Sequence, residues 1–463
     1  MTTHPPSLAI ENIVILAAGK GTRMFSRHPK VLHPLAGQPL LAHVIDTARA
    51  LRPRRIIVVH GHGGDMVAAA FPAADLHWVR QEPQQGTGHA MLTALPALAK
   101  QGITLILYGD VPLIACDTLR QLTRQAQEGG LALLTAHLAD PAGYGRIVRG
   151  AGGGVQAIIE EKDATPEQRQ IHEINTGFMA LPSHHLADWL PRLDARNTQG
   201  EYYLTDIIPL AIAQRIAITT HHPQREWEIH GINNKQQLAA LERVFQRESA
   251  RMLLAQGVTL ADPARIDIRG QLTCAQDVSI DINCVFEGEV ALGENVTIGA
   301  HCVIRNAVIG RDTIVEPFSF IEQAVVGDGC RIGPFARLRP GVRLAETVHV
   351  GNFVEIKNSH IGDGSKINHL SYIGDSDLGK NINVGAGSIT CNYDGANKHR
   401  TTIEDNVFIG SDTQLVAPVT VKKGATIGAG STITRDVPAD GLTLSRSKQV
   451  SVPSWRRPVK KGQ

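Results

Sequence analysis

In the second half of the chain one aliphatic residue recurs every six positions. Leu292, Ile298 and Ile304 begin the series, followed by Ile309, Val315 and Ile321, then Val326, Ile332, Leu338, Leu344, Val350 and Ile356, then Ile361, Ile367 and Ile373. The rhythm resumes at Ile403, Ile409, Leu415, Val421, Ile427 and Ile433. A small residue often stands four places later, as at Val296, Cys302, Thr313, Cys330, Ala336, Ser365, Ser371 and Ser431. An α-helix turns every 3.6 residues and has no period of six. A short strand plus a turn does: three such walls make a coil, and stacked coils bury a column of aliphatics. The pattern predicts a left-handed parallel β-helix over 259–463, with small residues at tight corners, in keeping with an aromatic content of only 4%. The rhythm slips to five residues after 304, 321, 356 and 373, and lapses over 390–401, which contains CNYDGANKHR. A loop that interrupts a solenoid is either decoration or the working part, and its place soon after His369 favours the second.

The first half has another grammar. Apolar runs at 13–16, 56–59 and 103–108 read as buried strands, and 40–51 and 89–99 have helical spacing. This alternation predicts a Rossmann-like, mostly parallel sheet covered by helices over 1–236. In such sheets ligands sit at the C-terminal ends of strands, where 17–22 and Asp110 fall. Residues 237–256 (QLAALERVFQRESARMLLAQ) lack Gly and Pro, so 237–258 is expected to be a linker helix stopped at Gly257.

With 46 basic and 44 acidic residues in 463, charge makes no case for nucleic acid or a membrane surface as a partner. The six cysteines (Cys116, Cys274, Cys284, Cys302, Cys330 and Cys391) are scattered, resembling neither a zinc ligand set nor a disulfide framework. No basic segment precedes the first apolar run and no run is long enough to span a bilayer, so the expected location is cytoplasmic.

LAAGKGTRM, from Leu16 to Met24, follows the first strand. It lacks the upstream glycine and the Ser/Thr of a Walker loop, and Met24 stands where a dinucleotide fingerprint needs glycine. What remains is a glycine turn with exposed amides plus Lys20 and Arg23, suited to phosphates. Lys30 follows. QEPQQGTGHA (81–90) offers amides and a Gly-Thr turn for a pyrimidine edge, and Asp110 of YGD either binds Mg2+ between phosphates or caps a helix.

Together LAAGKGTRM, Lys30, QQGTGHA, YGD and INTG resemble the sugar-1-phosphate nucleotidyltransferases. With the hexapeptide half attached, residues 10–450 resemble the bifunctional N-acetylglucosamine-1-phosphate uridyltransferase/glucosamine-1-phosphate acetyltransferase family. The resemblance implies that Leu16, Ala17, Ala18, Gly19 and Lys30 contact the nucleotide and that Gln81, Gly86 and Thr87 select uracil. It assigns Tyr108, Gly109, Asp110, Gly145, Glu160, Asn175 and Asn233 to sugar, ribose and metal, with Asp110 and Asn233 as Mg2+ ligands. No covalent protein intermediate is required, so catalysis by Arg23 and Lys30 is positioning and charge neutralisation.

In the repeats, Arg339 and Lys357 are either solvated cations or a pair that holds a sugar phosphate, and a lone histidine at position 369 would be ordinary surface. Amine acetylation supplies a reason for His369, because a histidine suits the task of accepting the amine proton. The resemblance implies that His369 is the general base, that Arg339, Lys357, Tyr372 and Asn383 bind glucosamine 1-phosphate, and that Ala386, Asn392, Tyr393, Ser411, Ala429 and Arg446 contact acetyl-CoA. It further implies UTP as co-substrate and a homotrimer; the polar tail 445–460 after the last coil is either an arm reaching a neighbour or disordered. Asn368 stands where the family carries glycine, and asparagine tolerates the same left-handed backbone. Two alternatives remain open at this level: a single-function nucleotidyltransferase whose repeats only oligomerise, and a sugar-nucleotide-binding regulator.

Overall fold

The computed structural model describes residues 10–458 other than 62 and 129, together with Lys460. It divides into two units, Met1–Phe245 and Gln246–Gln463.

In the first unit the apolar runs form β1 (Ile10–Ala17), β2 (Arg55–His60), β3 (Leu76–Arg80) and β4 (Ile103–Tyr108), followed by β5 (Leu131–His137), β6 (Gly145–Arg149), β7 (Val155–Ile159), β8 (Glu173–Pro182) and β9 (Ile218–His221). The sheet order is β9-β5-β8-β4-β1-β2-β3, with the β6–β7 hairpin paired to β8. β8 runs antiparallel to both β4 and β5, while β1 is parallel to β2 and β4. Alternation along β1 sends Ile13 and Ile15 to one face and Val14 and Leu16 to the other. The first face is covered by Leu41 and Val44 of the helix Leu40–Ala50 and by Leu119 and Leu122 of Cys116–Gln127. The second is covered by Ala90 and Met91 of Thr87–Ala94 and by Ile207 and Ile208 of Ile207–Ala213. The helix expected over 89–99 starts earlier and ends at Ala94; a 3-10 turn, Leu95–Ala97, follows because Pro96 cannot continue the ladder.

The long helix spans Lys235–Ala255, and Gly257 follows with φ 91°. Leu241 packs with Met24, Leu35 and Leu40 in the first unit, whereas Ala250 and Leu253 join the apolar column of the second.

Every aliphatic of the six-residue rhythm is buried in that column, and the strands pair in parallel with their counterparts one coil on. One wall is an eleven-stranded sheet; the other two walls share a sixteen-stranded sheet. The coils begin before the legible rhythm: Ile266, Ile268, Ile280 and Phe286 are already in the core. The expectation about corners is corrected. The small residues Cys302, Thr313 and Ser365 are buried inside, while the left-handed corner positions include His301, Phe318, Phe335, Phe353 and Leu370, all with φ between 49° and 62°. The first four rings stack in a ladder with centroids 4.8, 5.0 and 5.2 Å apart. A side chain at such a corner points outward, so bulk is no obstacle there. Asn368 is not among the left-handed residues; Leu370, two positions on, makes that turn. Among the described residues no helix is long and apolar enough to cross a membrane.

Candidate active sites

The glycine loop leaves the end of β1, and Gly21 (φ 60°) lies so close to Lys30 that a β-carbon would sit 2.7 Å from that side chain's own. Only glycine permits this approach. A second loop enters the helix at Thr87. Gly86 has φ 101°, and a β-carbon on it would meet Tyr202 O at 2.6 Å. Gln81, 3% exposed, donates to Gly86 O at 3.0 Å, while Leu204 N donates to the Thr87 hydroxyl at 3.1 Å. Between the two loops lies a cleft of about 340 Å3 lined by Leu16, Ala17, Ala18, Gly19, Lys30, Gln81, Gly86, Thr87, Tyr108 and Asp110. All ten belong to the residues expected at the nucleotide, the sugar or the metal. Lys20, Gln84 and Glu201 line it as well. Glu201 carried no sequence signal, because it reaches the cleft only through backbone bonding of its neighbour Tyr202 to Gln85 O and from Gly88 N.

At the strand ends Lys30 Nζ donates to the Asp110 carboxylate and, at 3.1 Å, to Asn233 Oδ1. Two residues distant in sequence thus present oxygens to one cation, a donor set that fits a hard ion. Gly109 N donates to Leu16 O at 2.9 Å, fixing Asp110 beside the loop. Gly145 pairs with Asn175 across β6 and β8 and lies against the Glu160 carboxylate. Burial pushes the Glu160 carboxyl up, and burial with the nearby Glu160 and Asp110 charges does the same to the Tyr108 hydroxyl. Tyr108 therefore links the cleft to the Gly145, Glu160 and Asn175 group. Arg23 is exposed on the glycine loop and does not line the cleft.

In the second unit Ile367 is buried and His369 projects outward beside the Leu370 corner, at the end of the strand Lys366–His369. Its Nδ1 lies 2.9 Å from Asn352 Oδ1, one coil earlier and in register. With Nδ1–H donated to that oxygen, Nε2 carries the free lone pair. Corner hydrogen bonds then climb coil by coil: Gly387 N to His369 O, Asp412 N to Ala386 O, and Gly430 N to Ser411 O. Arg446 Nη1 donates to Ala429 O at 2.7 Å. The structure thus aligns His369, Ala386, Ser411, Ala429 and Arg446 along one edge.

A second cluster lies on the neighbouring wall. Lys357 Nζ is 3.5 Å from the carboxylate of Asp375, which also accepts from Asn358 Nδ2 at 2.5 Å and from Asn392 Nδ2. Burial opposes the Asp375 charge, but the Asn358 and Asn392 hydrogen bonds and the Lys357 ammonium prevail and hold its pKa below the usual carboxylate range. Tyr372 lies over Gly374, whose strand partner is Lys357. Arg339 donates to Glu355 at 2.8 Å. Asn383 sits on the His369 wall, in register with Lys366. The irregular loop returns Lys398 to this cluster, where the close approach of the like-charged Lys357 ammonium pushes its pKa down. Tyr393 is 61% exposed at the loop's tip, its hydroxyl donating to Gly395 O. Asn352, Asp375 and Lys398 were not singled out in the sequence; one-coil spacing from His369 and Lys357 would have found the first two, whereas Lys398 stands in the irregular loop and carried no such sign.

A nucleotide-type cleft on an α/β sheet and a polar edge on a hexapeptide β-helix define a two-unit transferase. Residues 13–259 match the MobA-like NTP transferase domain, 268–350 the GMPPB C-terminal domain, and 400–435 the bacterial transferase hexapeptide repeats. The chain is 59% identical over 451 residues to the bifunctional protein GlmU of Nitrosospira multiformis, covering 97% of this chain and 98% of that one. It is 60% identical to its counterpart in Chromobacterium violaceum and 59% identical to that of Aromatoleum aromaticum, in each case over 97% of this chain and 99% of the relative. The chain belongs to the bifunctional GlmU family.

Proposed function

We propose that the second unit acetylates the amine of glucosamine 1-phosphate with acetyl-CoA, and that the first joins the product to UMP from UTP, giving UDP-N-acetylglucosamine and pyrophosphate. The chain is a bifunctional transferase, and the observation that carries the residue-level reading is the polar edge around His369. A repeat that only oligomerised would need neither an oriented histidine nor, on the neighbouring wall, a Lys357–Asp375 pair.

In acetyl transfer the sugar amine attacks the thioester carbonyl, His369 Nε2 takes the amine proton, and the thiolate leaves. Asn352 keeps the other ring nitrogen protonated. Lys357 and Lys398, two ammonium groups drawn together, suit a phosphate between them, with Arg339, Tyr372 and Asn383 around the sugar. Ala386, Asn392, Tyr393, Ser411, Ala429 and Arg446 take the coenzyme.

In uridylyl transfer a sugar-phosphate oxygen attacks the α-phosphorus of UTP and the bond to pyrophosphate breaks. The glycine-loop amides and Lys30 hold the phosphates, Arg23 neutralises their charge from outside the cleft, Gln81, Gly86 and Thr87 hold the base, and Gly145, Glu160 and Asn175 the sugar. Asp110 and Asn233 would hold Mg2+, which when bound neutralises phosphate charge. The ladder of exposed rings ending beside His369 supports packing against further copies of the chain, as a homotrimer. The enzyme is expected in the cytoplasm.

Thiol release from acetyl-CoA with glucosamine 1-phosphate, and pyrophosphate release from UTP with N-acetylglucosamine 1-phosphate, test this reading. His369→Ala is expected to lose about 10²–10⁴-fold in the first assay only, and Lys30→Ala about 10²–10³-fold in the second only. A wild type that releases no CoA, or variants that lose both activities together, would sink it.

A further inference from the structure

At one edge of the first unit's sheet, three residues with no part in the reactions above converge. His137 closes β5 and Glu173 opens β8, the two facing each other in register. His222 directly follows β9, which runs parallel to β5. One ligand atom from each lies within 4.8 Å of the others, and the two imidazole rings are 5.4 Å apart at their centroids. The His222 Nδ1–H donates to Thr135 O at 2.9 Å. That bond fixes the tautomer and leaves Nε2 as the lone-pair nitrogen, the arrangement that orients metal-ligating histidines generally. Glu173 is buried while both histidines are exposed, so the donors open to solvent over a fixed carboxylate.

We propose that His137, Glu173 and His222 form a site for a divalent metal of the zinc class, separate from the Asp110–Asn233 pair. Two imidazole nitrogens and one carboxylate oxygen suit zinc with a fourth position left to water, and are a poor set for Mg2+, which prefers oxygen alone. Arg149 is the competitor: its Nε and Nη2 donate to the two Glu173 oxygens at 2.6 and 2.5 Å. A carboxylate offers about four lone-pair positions, so a singly bound metal and the guanidinium can share it. The guanidinium charge weakens the site, which makes it an exchangeable one rather than a structural staple. Occupancy would tie the ends of three chain segments together, two residues from Asn175.

The test is Zn2+ binding by the full chain, measured by competition with a chromophoric chelator in saturating Mg2+ and repeated with Co2+ for its visible spectrum. Wild type is expected to bind one Zn2+ that His137→Ala and His222→Ala each weaken by more than the roughly 10–100-fold typical of losing an outer-shell partner. The Co2+ bands of a four-coordinate site should vanish in both variants. Because the two histidines are exposed, uridylyl transfer should persist and report that the variants are folded. Zn2+ affinity and stoichiometry that are equal in wild type and both variants would overturn the assignment, as would a wild type that binds no Zn2+ in the micromolar range.

Discussion

At the scale of single residues, Asp375 has the most consequential position that its local sequence does not announce. Its carboxylate joins Lys357, Asn358 and Asn392, so one buried charge positions a residue expected at the sugar phosphate and another expected at the coenzyme. Asp375→Asn keeps the shape but removes the charge, and is expected to cost the second unit about 1–3 kcal/mol at neutral pH by leaving buried donors poorly satisfied. A depressed folded-state pKa means that this stabilisation is present above the ordinary aspartate value, about 3.9, and is lost as pH falls through the folded value. Denaturation at a series of pH values should therefore show wild type and variant converging on acidification. A gap that stays constant, or widens, in acid would reject the linkage. The same substitution should raise KM for the sugar phosphate while uridylyl transfer is unchanged.

At the scale of elements, what was legible followed from local pattern. The six-residue rhythm marked inward positions because each coil repeats the same strand and turn, and LAAGKGTRM marked a loop that borders the cleft because a glycine turn after a strand is a local event. Glu201 at the cleft and Lys398 beside Lys357 were not legible, since each depends on segments that meet only after folding, whereas Asn352 stands one coil before His369 and needed only the repeat spacing applied to polar positions. The corner ladder misled in another way: the low aromatic content suggested corners free of rings, yet several of the few phenylalanines are concentrated at one corner, one coil apart. Phe335 and Phe353 are about half exposed and stacked. Phe335→Ser with Phe353→Ser is expected to lower the oligomeric state in sedimentation and to reduce acetyl transfer by at least about tenfold, the factor that corresponds to 1.4 kcal/mol. Uridylyl transfer should be unaffected. An unchanged sedimentation coefficient would place the subunit contact elsewhere.

At the scale of the whole molecule, among the described residues each unit has apolar clusters of its own. Three of the four tryptophans, Trp78, Trp189 and Trp227, lie in the first unit, and Trp455 is 68% exposed in the tail. Tryptophan emission should thus follow unfolding of the first unit, while far-ultraviolet dichroism also follows the β-helix. In urea the two signals are expected to give midpoints that do not coincide; superimposable curves would show the units unfolding as one. The corner edge carries a different consequence. Left-handed corner positions bear rings or bulk up to Leu370, then become Gly387, Asp412 and Gly430. With strands about 4.8 Å apart, the three steps from His369 to Ala429 make a track about 14 Å long that is free of rings. On the proposed function such a track would act as a ruler, spanned by a slender acetyl carrier laid along the stack and not by a short thioester. Acetyl transfer from a truncated acetyl thiol should suffer mainly in KM, by the number of rungs the donor fails to reach.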